Sequence, residues 1–139
     1  MFLKKINFIS VSLSLILSVI LLSSSCQKAP INGRLDGMWE VNEVIVGNQI
    51  RLPERRVFYN FGMHVCALSL FGGNFTDGNM IYEGNTLALD FPYMQSQKDL
   101  TFLENYGIFS NPVVFTVEFI SDEKLILYDG DTSVYLTKF

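Results

Sequence analysis

Five pairs of turn-forming residues, Gly47-Asn48, Gly72-Gly73, Asp77-Gly78, Gly84-Asn85 and Asp129-Gly130, divide most of this chain into short pieces. Each pair supplies residues that accept a positive φ, as tight hairpin turns require, so the pieces between them are expected to be strands. Their side chains alternate accordingly. In VVFTVEFI (113–120), Val113, Phe115, Val117 and Phe119 share one face while Thr116 and Glu118 take the other. KLILYDGDTSVYLTKF (124–139) reads as a hairpin about Asp129-Gly130, and MIYEGNTLALDF (80–91) as another about Gly84-Asn85. RVFYNFGMHVCALSL (56–70) alternates more loosely as one long run, with Val57, Tyr59, Phe61, Met63, Val65 and Ala67 on one side and a bend or bulge expected at Gly62.

SQKDLTFLENYG (96–107) breaks this pattern. Ser96 and Asp99 have capping-box spacing, Leu100, Leu103 and Tyr106 recur at helical intervals, and Gly107 suits the residue after a helix end. One short helix is therefore expected among strands. Seven or eight antiparallel strands in about 105 residues leave edges exposed unless the sheet closes, so an up-and-down β-barrel is the expected fold. A β-sandwich is the alternative, because alternation cannot separate two packed sheets from one rolled sheet.

The N-terminus carries a different signal. Lys4 and Lys5 precede an apolar, serine-interrupted run from Ile6 to Leu22, then Ser23 to Ser25 and Cys26. This is the order of a secretory signal. Its end, LLSSSC, resembles the lipobox of bacterial lipoproteins, although Ser23 stands where leucine is usual. The resemblance implies cleavage before Cys26 and acylation of Cys26, with several buried acyl chains giving a stable anchor where one is marginal. A retained anchor helix is the competing reading, and no basic stop-transfer cluster follows Cys26 to support it. The expected organisation is a signal peptide at 1–25, a lipidated tether at 26–34 (CQKAPINGR) and one domain at 35–139.

Cleavage removes Lys4 and Lys5 and keeps all 14 acidic residues, taking the net charge from −4 to about −6. Such a domain is a poor partner for nucleic acid, whose binders displace counterions with basic patches. An anionic membrane offers it no attraction either, which leaves anchoring to the lipid. With Cys26 acylated, Cys66 has no partner among the two cysteines, and no disulfide is expected.

GRLDGMWEV (33–41) opens the first strand with the chain's single tryptophan, Trp39, and Gly37 two residues before it. This Gly-x-Trp resembles the entrance of lipocalins, in which the tryptophan plugs the closed end of the barrel. The resemblance implies that Trp39, Gly37 and Lys138, the basic residue of the terminal YLTKF, close the barrel together, Lys138 packing on the ring by cation–π attraction. LDGMWEV, FYNFGMHV and LILYDG are similar to segments of the small lipocalin-like lipoproteins of Bacteroidales. The domain is shorter than ligand-carrying lipocalins and has its helix mid-chain rather than after the last strand.

The candidates for chemistry are few. His64 and Cys66 stand two apart, which on an extended strand separates their side chains by roughly 6 to 7 Å, too far for a nucleophile and its base. A core thiol and a half-buried histidine are expected instead. Asp129 and Asp131 flank a turn glycine without the spaced oxygen ligands of a calcium loop. RLPERR (51–56) is the one basic cluster, a solvated loop by default and otherwise an anion or partner contact. No catalytic residue, metal or cofactor is expected.

Aromatic residues are abundant, and the strand pattern points many inward. The expected function is a non-catalytic, lipid-anchored binding module whose barrel holds a small apolar or amphipathic ligand among Tyr59, Phe61, Met63, Phe115, Val117 and Phe119. The alternative is an envelope protein with a filled barrel that binds another protein through its outer surface. The outer membrane is the expected location. The tether lacks the acidic residues that mark surface export in some of these bacteria, which leaves the face open and favours the periplasmic side.

Overall fold

The computed structural model describes residues 10–16, 31–71 and 73–139. Cys26, the rest of the tether to residue 30, and the signal segment apart from a helical stretch at 10–16 lie outside the described residues. Among the described residues no helix is long and apolar enough to cross a membrane.

The described residues form nine strands, in order β1 (Gly37–Val46), β2 (Gln49–Arg51), β3 (Val57–Gly62), β4 (Val65–Leu70), β5 (Gly73–Glu83), β6 (Thr86–Asp90), β7 (Val113–Ser121), β8 (Lys124–Asp129) and β9 (Thr132–Lys138). Each of β3 to β8 pairs antiparallel with the strand that follows it, and β9 returns to β1, with Trp39 opposite Lys138 and Val46 opposite Thr132. This closure makes an eight-stranded barrel and rules out the sandwich. β1 shares its other edge: Gly37 to Glu40 pair with β3, while Val44 to Val46 pair with the extra strand β2.

The pairings fix which end each loop occupies. β1 starts at one end and β3 finishes there, since Gly37 lies opposite Phe61. The turns at 63–64, 84–85 and 122–123 gather at this Trp39 end, whereas the turns at 47–48 and 130–131 and the long connection 91–112 gather at the other, the mouth.

Two sequence expectations fail here. The run 56–70 is two strands joined by a two-residue turn at Met63 and His64, Gly62 pairing with Val65 and Phe61 with Cys66. Such a turn reverses parity, so odd residues point inward on β3 but even ones on β4. Tyr59, Phe61, Cys66 and Leu68 are consequently buried, while Met63, with φ 54°, is 65% exposed and Val65 is 47% exposed. Asp77-Gly78 is not a turn but lies inside β5. There the Phe91 ring packs so closely on Gly78 that a Cβ would stand 2.5 Å from it.

The barrel is filled. Trp39, Tyr59, Leu68, Leu87, Phe115 and Leu127 are fully buried in one continuous core. Each large apolar side chain hidden in this way contributes about 1.5–3 kcal/mol.

Candidate functional site

The closed end is sealed by few groups. Trp39 is fully buried, and its indole Nε1–H donates to the Leu35 carbonyl at 2.8 Å. Lys138 Nζ lies 5.3 Å from the indole centroid. Gly37, at φ 128°, keeps the space into which a Cβ would bring Lys138 Cε to 3.1 Å. The structure thus brings together Trp39, Gly37 and Lys138. Phe119 stands 6.3 Å from the Trp39 ring and carries the Arg34 guanidinium at 4.3 Å, so this residue joins the seal rather than a ligand pocket.

The mouth is stoppered by the long connection. Its helix, Gln97–Leu103, starts with the full capping box, Ser96 Oγ accepting from the Asp99 amide and Asp99 Oδ2 from the Ser96 amide. A 3-10 turn, Glu104–Tyr106, and Gly107 at φ 76° then reverse the chain. Gly107 is required twice over, since a Cβ there would also lie 2.2 Å from Val134 Cγ2. The reversal drives Leu103, Tyr106 and Ile108 into the barrel top, with Phe91 and Met94 beside them, all buried. The Tyr59 hydroxyl donates to the Tyr106 carbonyl at 2.6 Å, and the Tyr106 hydroxyl to the Ser69 carbonyl at 2.9 Å. Burial holds both phenols well above their ordinary value of 10.0, and the nearby Cys66 adds to this. The Asn111 amide clasps the connection, accepting from the Phe91 amide and donating to the Phe91 and Met94 carbonyls.

A cleft of about 510 Å³ opens outside this stopper, between the helix, the end of β2 and the loop after it. Val44, Leu52, Phe75 and Phe102 give it an apolar lining, the Phe75 and Phe102 rings standing 4.2 Å apart at 31°. Arg51, Glu54, Lys98 and Glu104 supply charge, with Arg51 Nη1 4.0 Å from Glu104 Oε2. A smaller recess of about 250 Å³ continues past Phe102, sharing Glu54 and Asn105 and reaching Val57 and Leu70.

None of the six residues expected to hold a ligand lines either space. Tyr59 and Phe61 stack on each other at 5.5 Å in the core, Phe115 and Val117 are buried, Phe119 packs near Trp39, and Met63 sits on an exposed turn. Alternation finds inward residues, and inward here means filled. Of the cleft, only RLPERR gave a signal: Arg51, Leu52, Pro53 and Glu54 line it, while Arg56 instead forms a two-pronged pair with Glu40 at 2.7 and 2.9 Å. Phe75 is passed over in the pairing of β4 with β5, where Leu68 stands opposite Thr76 and Ser69 opposite Asn74, and its meeting with Phe102 had no local signal.

His64 is exposed on its turn and Cys66 is buried beneath the sheet. Burial pushes the Cys66 thiol well above its ordinary value of 9.0, with Asp77 adding to it, so the thiol stays protonated and weakly nucleophilic. Among the described residues no group of three or more His, Cys, Asp or Glu is placed to hold a metal ion.

Solved structures share this architecture. A lipocalin-like protein from Bacteroides uniformis ATCC 8492 superposes with a TM-score of 0.64 at 23% identity, over 77% of this chain and 100% of the other. An uncharacterised protein from Bacteroides eggerthii DSM 20697 gives 0.59 at 15% identity, over 75% of this chain and 98% of the other. No curated protein matches the chain. The family model described as Lipocalin-like domain matches residues 20–139, and with a closed eight-stranded barrel beneath that match, the chain belongs to the lipocalin-like domain family.

Proposed function

We propose that the chain is an exported, lipid-anchored, non-catalytic binding module that takes a small amphipathic molecule into the cleft at its barrel mouth. The observation that carries this reading is the cleft: its volume of about 510 Å³ falls within the roughly 300–1,000 Å³ range of small-molecule sites, and it sets an apolar lining beside charged groups. The filled core moves the expected ligand from the barrel interior to its rim. Anchoring is supported by the lipobox-like order ending in Cys26, and the outer membrane, periplasmic face, remains the proposed location.

The test is native mass spectrometry of the mature protein, released from detergent micelles after incubation with a lipid and bile extract. A reproducible added mass is expected. It should vanish in Leu52→Asp, a change at a position already 71% exposed, and persist in Ile81→Asp on the outer wall. If a folded protein retains no mass, the second reading stands: a filled barrel that binds another protein. That reading is favoured by exposed Ile50, Phe71 and Tyr93 near the mouth.

A further inference from the structure

We propose that the domain stands on the membrane by its closed end, so that the mouth faces away from the bilayer that anchors it. This rests on the reading of Cys26 as the acylated residue. It then follows from where the chain enters the barrel. Asn32 is fastened at the closed end, its Nδ2 donating to the Met63 carbonyl at 3.0 Å and to Asp36 Oδ1 at 2.7 Å. From Cys26 to Asn32 the chain advances six residues, which reach at most about 22 Å whatever their path. β1, ten residues long, rises about 30 Å along its own axis. At a barrel tilt near 40° that leaves about 23 Å between the ends. Even fully extended along the barrel wall, the tether falls just short of the mouth, so the mouth cannot point at the membrane surface while Asn32 holds its place.

The end that does meet the bilayer is suited to it. Ile31, Met63, Val65 and Ile120 are exposed there, between 47% and 65%, around the point where the tether arrives. Charges at this end are mixed, Arg34, Lys124 and Lys138 against Asp36, Glu83, Asp122 and Glu123. Contact therefore depends on apolar side chains at the headgroup boundary together with the acyl chains, and not on anionic lipid. The apolar residues of the mouth then meet molecules arriving through water rather than lipids of the anchoring leaflet.

The test uses mature protein purified from membranes and reconstituted into phosphatidylcholine vesicles that carry a headgroup-level spin-labelled lipid. An environment-sensitive fluorophore is attached at His64→Cys on the closed-end turn or at Tyr93→Cys near the mouth; Cys66 is fully buried and does not compete for label. Quenching at position 64 is expected to exceed that at 93 at least threefold, and adding Met63→Asp should remove most of the difference. Asp tolerates the positive φ of that turn, so the fold is not at risk. Equal quenching at both positions, or stronger quenching at 93, overturns the orientation. Persistence of the full difference in Met63→Asp overturns the apolar contact. The mass of the N-terminal peptide from the same sample separates the two readings: an unmodified Cys26 brings down both, whereas acylated protein quenched at 93 brings down this one alone.

Discussion

The two ends of the barrel are closed by different means. At one end a single indole, bonded through its N–H to Leu35 just before β1 and covered by Lys138, completes a seal drawn mainly from residues already in the strands. At the other a connection running from 91 to 112 folds over the opening and is fixed by side-chain bonds to main-chain carbonyls. A seal made from strand residues leaves little room to vary. A seal made from an added segment leaves clefts along its border, and the cleft of about 510 Å³ lies on that border.

The comparison can be broken most severely at the closed end. Trp39→Ala is expected to cost about 3–5 kcal/mol in urea unfolding, the usual loss for a large buried aromatic. Gly107→Ala attacks the mouth seal instead and should cost about 2–4 kcal/mol, combining a left-handed backbone with a clash against Val134. A deficit for Gly107→Ala equal to that of Trp39→Ala would mean that the added segment is as integral to the barrel as its strands.

Tyr106→Phe sharpens the contrast, since it removes the buried hydroxyl that donates to the Ser69 carbonyl; about 1 kcal/mol is expected. The tyrosines and Cys66 also set a pH dependence. Their folded values are raised, so the stability they confer is complete below the unfolded values, 9.0 for the thiol and 10.0 for the phenols, and is lost as pH rises towards the folded ones. Denaturant midpoints should hold level from pH 7 to 9 and fall above that, and Tyr59→Phe should lessen the fall. The smallest effect is predicted for Arg51→Ala, whose 4.0 Å pair with Glu104 is roughly half exposed: stability should change by under about 1 kcal/mol. Any ligand held at the mouth would nonetheless report the loss of charge as weaker retention in mass spectrometry.

What the sequence makes legible follows the same division. Period-two alternation and turn pairs expose the strands, and Gly37, Trp39 and Lys138 could be placed at one end, because these signals are local or belong to a recognised resemblance. Ser96, Asp99 and Gly107 marked the helix for the same reason. The use of that helix was hidden, since nothing near residue 106 says that its hydroxyl will find Ser69 across the barrel. The turn at Met63 and His64 lacked glycine–asparagine chemistry, and β2, although it follows Gly47-Asn48, is three exposed residues with no alternation to read. Gly78 misled for the opposite reason, a glycine present not to turn the chain but to admit the Phe91 ring. The cleft was least visible of all, assembled from a loop, three strands and a helix that meet only in the folded barrel.

The seam between β1 and β9 also sets a clock. Seven residue pairs along that seam join the first strand to the last, so the sheet has two open edges until Thr132 to Lys138 are available. Under the export proposed above, the chain would have to stay unfolded in transit, and the seam would supply the delay: most of the polymer must be across before the ring can shut. Ribosome-stalled chains that end before Thr132 should accordingly remain protease-sensitive, whereas chains extended well past Lys138 become resistant.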